Sequence, residues 1–348
     1  MNGAINLRTE AVLGLLSDGL PHNRQEVELV IKESPRTANR VLNDLLAKGW
    51  VTSQGSARAV TYLLTPSGRL EVVFDLEAYL KRPPAERAAF TTIQPALFDL
   101  IEGSMPKTAL EQFGIAREAY TTTRAKIDPA SSHKELQRFV IEFSWKSSAI
   151  EGNTYTIHDT ELLLTDGIPA SGHTPAETAM VLNHKKAFDN IWHNISDYKT
   201  LTRSKILDVH QLLVTNLGVP TGLRTNPVGI TGTTYTPPAG ATQLASYLDD
   251  IIERINLLKE PAEKAMACLT LIPYLQPFLD GNKRTSRLIS NALLLAHDYP
   301  PISFFTAKEG EYKGALLLFY EQGVLGNFRK LVLEQLEYSI THYFFQEQ

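Results

Sequence analysis

The chain has 348 residues, of which 43% are apolar and 21% charged, and a formal net charge of −4. That length predicts two or three domains with ample chain for real cores, and the acidic balance excludes a global attraction to nucleic acid, so any such binding needs a local patch. A single cysteine excludes internal disulfides and thiolate metal clusters, and the lack of an 18-residue apolar stretch or an apolar leader core predicts a cytoplasmic protein with no membrane partner.

Residues 1–75 read as one domain. Leu7 to Leu16 predicts a first helix stopped by Asp18-Gly19, and Arg24 to Lys32 a second. Ser34-Pro35 is an N-cap followed by proline at the first helical position, so a third helix is expected to run to about Lys48 and stop at Gly49. Its apolar residues Ala38, Val41, Leu42, Leu45 and Leu46 fall at core-facing spacing. Arg36, Asn39, Arg40 and Asn43 lie on the opposite face. Trp50 to Ser53 and Val60 to Leu64 then read as two strands around the polar turn Gln54-Gly-Ser-Ala-Arg58. Three helices and a β-hairpin in this order resemble a winged helix. Across residues 35–69, Arg36, Arg40, Lys48, Arg58 and Arg69 face a single acid, Asp44. That bias suits a helix laid in a DNA groove with the hairpin on phosphate; a winged helix used for dimerisation or intramolecular docking carries the same charges merely solvated.

Residues 76–130 read as a helical connector. Lys81-Arg-Pro-Pro84 breaks the chain. Glu86 to Ile101 then predicts a helix with Phe90, Ile93, Leu97 and Ile101 on one side, and Thr108 to Lys126 another, ended by Asp128-Pro129.

Residues 131–348 carry the chemistry. Ser132 to Ile150 is strongly helical in pattern and ends in Ser147-Ser-Ala-Ile-Glu-Gly-Asn153, where Gly152 is a natural stop. His210-Gln-Leu-Leu213 closes a further helix. Val228, Gly229, Ile230 and Tyr235 flank the turn Thr231-Gly232, which predicts a short hairpin ended by Pro237-Pro238. Residues 262–275 read as a buried helix, with Cys268 in its apolar run as an inert thiol. Leu288, Ile289, Ala292, Leu293 and Leu295 fit a second helix. Between the two lies Gln276-Pro-Phe-Leu-Asp-Gly-Asn-Lys-Arg-Thr-Ser-Arg287. Arg284 and Arg287 project from one face of a helix start that offers free N–H groups. These residues fit a loop for a polyphosphate and its metal, and equally a tight inter-helix turn with solvated charges.

The loop resembles the signature of the Fic (Fic/Doc, Fido) family, His-Pro-Phe-x-Asp/Glu-Gly-Asn-Gly/Lys-Arg-x-x-Arg, at Pro277, Phe278, Asp280, Gly281, Asn282, Lys283, Arg284 and Arg287. It departs at Gln276, where the family has its general-base histidine. Ser147, Glu151 and Gly152 resemble the family's inhibitory motif, in the class whose inhibitory helix precedes the core. The resemblance implies a mostly α protein: an all-helical Fic core with a β-hairpin flap, plus the N-terminal winged helix. It implies ATP as donor, Mg²⁺ on Asp280, and a nucleotide held by Phe278, Gly281, Asn282, Lys283, Arg284 and Arg287. It also implies Glu151 pairing with Arg287, and a target protein docked by strand addition on Val228, Gly229, Ile230 and Tyr235. AMP transfer to a protein Ser, Thr or Tyr hydroxyl is the activity implied; an ATP-sensing, DNA-binding regulator without turnover is the alternative, and another diphosphate donor stays open. Glutamine cannot take up a proton at neutral pH, so the chain is either an altered-chemistry member or one with a substituted histidine. DNA on the winged helix and a homodimer remain candidate associations.

Overall fold

The computed structural model of the protein describes residues 7–17, 20–56, 59–87 and 89–343. The chain divides into two compact units: residues up to Leu100 with Ile230–Thr236 and Lys313–Lys330, and Ile101–Gly229 with Pro237–Tyr312 and the segment from Leu331 onward.

The first unit opens with α1 (Leu7–Leu16), β1 (His22–Asn23), α2 (Arg24–Ile31), α3 (Pro35–Ala47), β2 (Val51–Gln54) and β3 (Thr61–Leu64). Local chemistry sets the helix starts. Asn23 and Glu26 form a reciprocal capping box on α2, and Ser34 accepts from Thr37 N with Pro35 at the first helical position of α3. The strands pair antiparallel in the order β1-β3-β2, with His22 opposite Tyr62 and Val51 opposite Leu64. The two-residue β1 has too little sequence to show a strand period. Ala38, Val41, Leu42 and Leu45 of α3 pack with Val12, Leu13, Leu16, Val27, Val51 and Leu64; each such leucine or valine contributes roughly 1.5–3 kcal/mol by burial. The stop predicted at Asp18-Gly19 lies outside the described residues.

Next come α4 (Pro66–Arg69), α5 (Leu76–Lys81) and α6 (Ala96–Asp99). The helix expected over Glu86–Ile101 is not formed. Pro95 removes a backbone donor from its middle, Phe90 N donates instead to Glu321 O, and Thr92 bridges Thr236 in extended geometry. Leu97 and Ile101 are buried all the same.

The remaining helices are α7 (Lys107–Lys126), α8 (Pro129–Ala149), α9 (Ile157–Asp166), α10 (Pro175–His193), α11 (Arg203–Val214), α12 (Ala241–Leu257), α13 (Pro261–Leu275), α14 (Asn282–Ala296), α15 (Glu309–Gln322) and α16 (Gly326–His342). Asp128 caps α8 through Ala130 N and Ser131 N, so that helix begins at Pro129, earlier than Ser132. The core of the second unit is the hairpin of α13 and α14, buried from Ala262 to Leu275 and, apart from Lys283, from Asn282 to Ala296. Cys268 is buried within α13, where desolvation pushes its thiol up. No helix among the described residues is long and apolar enough to cross a membrane.

Candidate functional site

The link between α13 and α14 is braced from inside. Pro273 sits within the last turn of α13, and Gln276 ends the helix in the left-handed region at φ 49° and ψ 58°. Its backbone N–H returns to Ile272 O, and its Nε2 donates to Pro273 O at 2.7 Å. Its Oε1 accepts from Asn282 Nδ2 at 2.8 Å, and the same Nδ2 donates to Phe278 O at 2.9 Å. Phe278 N in turn donates to Asn282 Oδ1 at 2.9 Å. The amides of Gln276 and Asn282 are thus engaged within the loop itself. From outside, Arg224 donates through Nε to Gln276 O (2.6 Å), through Nη2 to Pro238 O (2.6 Å) and through its backbone N–H to Pro277 O (3.0 Å). Nothing in the sequence marks Arg224, a lone arginine after Gly222-Leu223.

Gly281 adopts φ 85° at the N-cap of α14 and no side chain caps that helix, so its first N–H groups remain available to an anion. A Cβ at Gly281 would meet His210 at 3.4 Å and Val214 at 3.5 Å in ordinary contact, so it is the positive φ that favours glycine there. His210 stacks on Phe278 with ring centroids 3.7 Å apart and planes 8° apart, and its Nε2 lies 3.0 Å from Asp280 O. A carbonyl only accepts, so Nε2 carries the proton. Burial pulls the pKa of His210 down to about 4, against the opposing hydrogen bond to Asp280 O, and the ring is neutral at pH 7.

Arg284 is fully buried and spends one nitrogen: Nη2 donates to Asp280 Oδ2 at 2.7 Å. Its Nε and Nη1 have no hydrogen-bond partner among the described residues. Leaving buried donors of a charged group unmade costs several kcal/mol, which makes this guanidinium fit for an anion. Arg287, also buried, donates through Nε to Ser147 Oγ (3.0 Å) and through Nη2 to Ser147 O (2.8 Å) and Glu151 Oε1 (3.0 Å). Lys283 Nζ donates to Glu151 Oε2 at 2.7 Å. One carboxylate therefore holds two cations. Burial alone would push Glu151 up; the charges and hydrogen bonds of Arg287 and Lys283 outweigh it and hold the pKa at about 2. His184, deep beside these arginines, is kept neutral by burial and by their charge, and its Nδ1 meets Ser144 Oγ at 3.1 Å.

Asp280 is the acid at hand for a cation, with a carboxylate 55% exposed and one oxygen bound to Arg284. No cluster of three or more metal-ligating side chains occurs among the described residues. That donor set fits Mg²⁺, which takes one or two carboxylates and completes its shell with water and phosphate, and does not fit zinc.

The other sequence-predicted residues lie elsewhere. Residues 228–238 keep the turn at Thr231-Gly232, and Thr236 bridges Thr92. Tyr235 is buried against Tyr320, so its ring supports the segment from within, while Gly229 is exposed. Arg36, Asn39, Arg40 and Asn43 share one face of α3 and, with Thr37, line an open depression of about 400 Å³. Arg58 lies outside the described residues.

Residues 200–294 match the sequence model of the Fic/DOC family. Protein adenylyltransferase fic-1 of Caenorhabditis briggsae is 27% identical over 206 residues, 58% of this chain and 40% of that protein. Protein adenylyltransferase Fic of Drosophila willistoni is 27% identical over 204 residues, again 40% of its length. The chain thus spans about 40% of the length of these curated relatives. Among solved structures, residues 134–508 of Fic-1 from C. elegans align with a TM-score of 0.61 at 18% identity, over 97% of this chain and 92% of that one. A Fic domain containing signaling protein from Bacteroides thetaiotaomicron aligns with a TM-score of 0.58 at 18% identity, over 66% and 94%. These structures speak to the fold alone. The helical hairpin, the loop it presents and the family match converge on one assignment: the chain carries a Fic/DOC family domain.

Proposed function

We propose that the loop from Gln276 to Arg287 binds ATP with Mg²⁺ and belongs to a protein adenylyltransferase-type site, restrained by Glu151. The single observation that carries this reading is Arg284, a buried guanidinium with two unspent donor nitrogens at an uncapped helix start. Arg284, Lys283 and the first N–H groups of α14 take the polyphosphate, and Arg287 joins them once Glu151 leaves it. Asp280 would hold Mg²⁺, which would neutralise phosphate charge. Relatives named protein adenylyltransferase support ATP as donor.

In adenylyl transfer a hydroxyl oxygen attacks the α-phosphorus, the bond to the bridging oxygen breaks, pyrophosphate leaves, and the hydroxyl proton must go to a base. Gln276 cannot accept that proton, and its amide is already bonded to Pro273 O and Asn282. Binding is therefore the strong function of this site and transfer the weak one. Calorimetric titration of ATP with Mg²⁺ into the wild-type chain and Glu151→Gly tests the reading. Tighter binding by the variant is expected, and absence of binding in both overturns it.

A second reading concerns the N-terminal fold, which we read as a winged helix that binds duplex DNA. Lys32, Arg36 and Arg40 carry no ion pair among the described residues, whereas Arg8, Arg24 and Lys48 are paired with Glu33, Glu28 and Asp44. Of these, Arg36 and Arg40 lie with Asn39 and Asn43 on one face of α3 and offer phosphate contact and base-edge donors there. Titration of duplex DNA at several salt concentrations tests it: Arg36→Ala is expected to lower the log–log salt slope by about 1, and no binding at low salt overturns it.

A further inference from the structure

Glu151 is not a helical residue. It stands in the turn after α8, followed by Gly152 at φ 94°, where an added Cβ would meet nothing within 4 Å. Packing does not pin this turn at Gly152. Upstream, the amides of Glu151 and Asn153 return to Ser148 O at 3.0 and 3.1 Å. Downstream, the turn is tied to the start of α10 by a second carboxylate. Asn153 Nδ2 donates to Glu177 O at 2.8 Å, Thr154 N donates to Glu177 Oε1 at 3.1 Å, and the Thr154 hydroxyl donates to the same oxygen. The other oxygen, Oε2, accepts from the backbone and hydroxyl of Thr174 at 2.9 Å each, closing the capping box of α10. Glu177 thus divides its two oxygens between its own helix and the turn that carries Glu151. His173 meets the Thr154 hydroxyl at 2.9 Å from the far side.

We infer that Glu177 is a positioning residue for the Glu151 gate: it locks residues 153–154 to α10 and so holds the Glu151 carboxylate against Lys283 and Arg287. This rests on the gating reading above. A turn with open space at its glycine is held there by hydrogen bonds more than by packing, and such a segment opens locally at lower cost than a core helix. The gate carboxylate must meet Lys283 at 2.7 Å and Arg287 at 3.0 Å at once, which a wandering turn cannot sustain. Three hydrogen bonds from Asn153 and Thr154 to one residue remove that freedom. Among the described residues, Glu177 makes no hydrogen bond or ion pair to the loop from Gln276 to Arg287.

The test uses the full chain with two variants. Glu177→Ala removes both carboxylate bonds to Thr154 and also the cap of α10, leaving Asn153 Nδ2 on the backbone carbonyl of residue 177; the double variant Asn153→Ala with Thr154→Val removes the Asn153 and Thr154 side-chain bonds and spares the Thr174–Glu177 cap. Amide hydrogen exchange at residues 151–155 is expected to rise roughly three- to tenfold in both, as each lost hydrogen bond is worth about that factor. Calorimetry is expected to give tighter binding of ATP with Mg²⁺ in both, approaching Glu151→Gly, and no further gain when either is combined with Glu151→Gly. Unchanged exchange at 151–155 overturns the inference, and so does an equal gain in the Glu151→Gly background, which would show an effect elsewhere. If Glu151→Gly itself binds no nucleotide, the gating reading falls, and the exchange rates alone decide whether Glu177 positions Glu151.

Discussion

Glu151 Oε2 lies 2.7 Å from Lys283 Nζ, so the carboxylate opposite Arg287 is shared with a second cation from the same loop. The two partners are unequal. Arg287 is fully buried and has Ser147 as a further acceptor, while Lys283 keeps 26% of its side chain in solvent.

That inequality sets the energetics. Removing one side of a buried ion pair costs roughly 3–5 kcal/mol, and a pair whose cation keeps contact with water is worth about 1 kcal/mol. Arg287→Met is therefore expected to destabilise the domain by about 3 kcal/mol and Lys283→Met by about 1 kcal/mol or less. Denaturant midpoints at constant slope measure both.

The Glu151 contact is also acid-sensitive. The folded pKa of Glu151 is about 2, below its ordinary 4.5. A depressed carboxyl contributes stability that is complete above the ordinary value and is lost as pH falls through the folded one. The Glu151 contribution is thus constant from pH 5 to 8 and declines between pH 4.5 and 2. Unfolding free energies of wild type and Glu151→Gln are expected to converge in that acid window, and nucleotide affinity of the wild type to show no Glu151-linked change near neutrality.

Gln276→His tests the chemistry of the loop. General-base assistance is worth about 10²–10⁴ in rate, so labelling of protein from radiolabelled ATP is expected to rise by that order in the Glu151→Gly background. ATP affinity is expected to stay within a few-fold. The lost hydrogen bonds to Pro273 O and Asn282 cost about 1 kcal/mol of stability. Unchanged labelling alongside intact binding would locate the defect elsewhere than residue 276.

His210→Leu probes the support under the loop. The variant keeps an apolar body against Phe278 but loses the donor to Asp280 O, a cost of about 1–2 kcal/mol. The pKa of His210 is drawn down from 6.5 to about 4 by burial, so its neutral form is the folded one. Stability from this ring is complete above pH 6.5 and lost as pH falls toward 4. The difference between wild type and His210→Leu is expected to narrow over that range.

Much of the local structure is written in short-range chemistry. Ser34-Pro35 starts α3 and the 3-4 spacing of Ala38, Val41, Leu42 and Leu45 chooses its buried face, because caps and helix periodicity act within one or two turns. Asp128-Pro129 is as local, yet it starts α8 where a helix stop was expected to stand alone. The apolar spacing over residues 86–101 predicts a helix that Pro95 and the bridge between Thr92 and Thr236 prevent, since a distant strand partner is invisible to a local pattern.

The loop residues from Gln276 to Arg287, and Glu151 as a lone acid at a helix end, are legible as types in the chain. Which of them touch is decided by packing alone. Lys283 meets Glu151 across 132 positions, His210 stacks on Phe278, and Arg224 ties Gln276 to Pro238. Those contacts exist because the α13–α14 hairpin is buried among its neighbours and its polar groups can be satisfied only by whatever the fold brings within 3 Å. The sequence by itself determined most of the helices, the buried face of α3 and the residue types of the loop. The tertiary structure decided that two cations share one carboxylate, that Gln276 is bonded into its own loop, and that a second acid, Glu177, is hydrogen-bonded to the turn that carries Glu151, because each contact joins residues far apart in the chain.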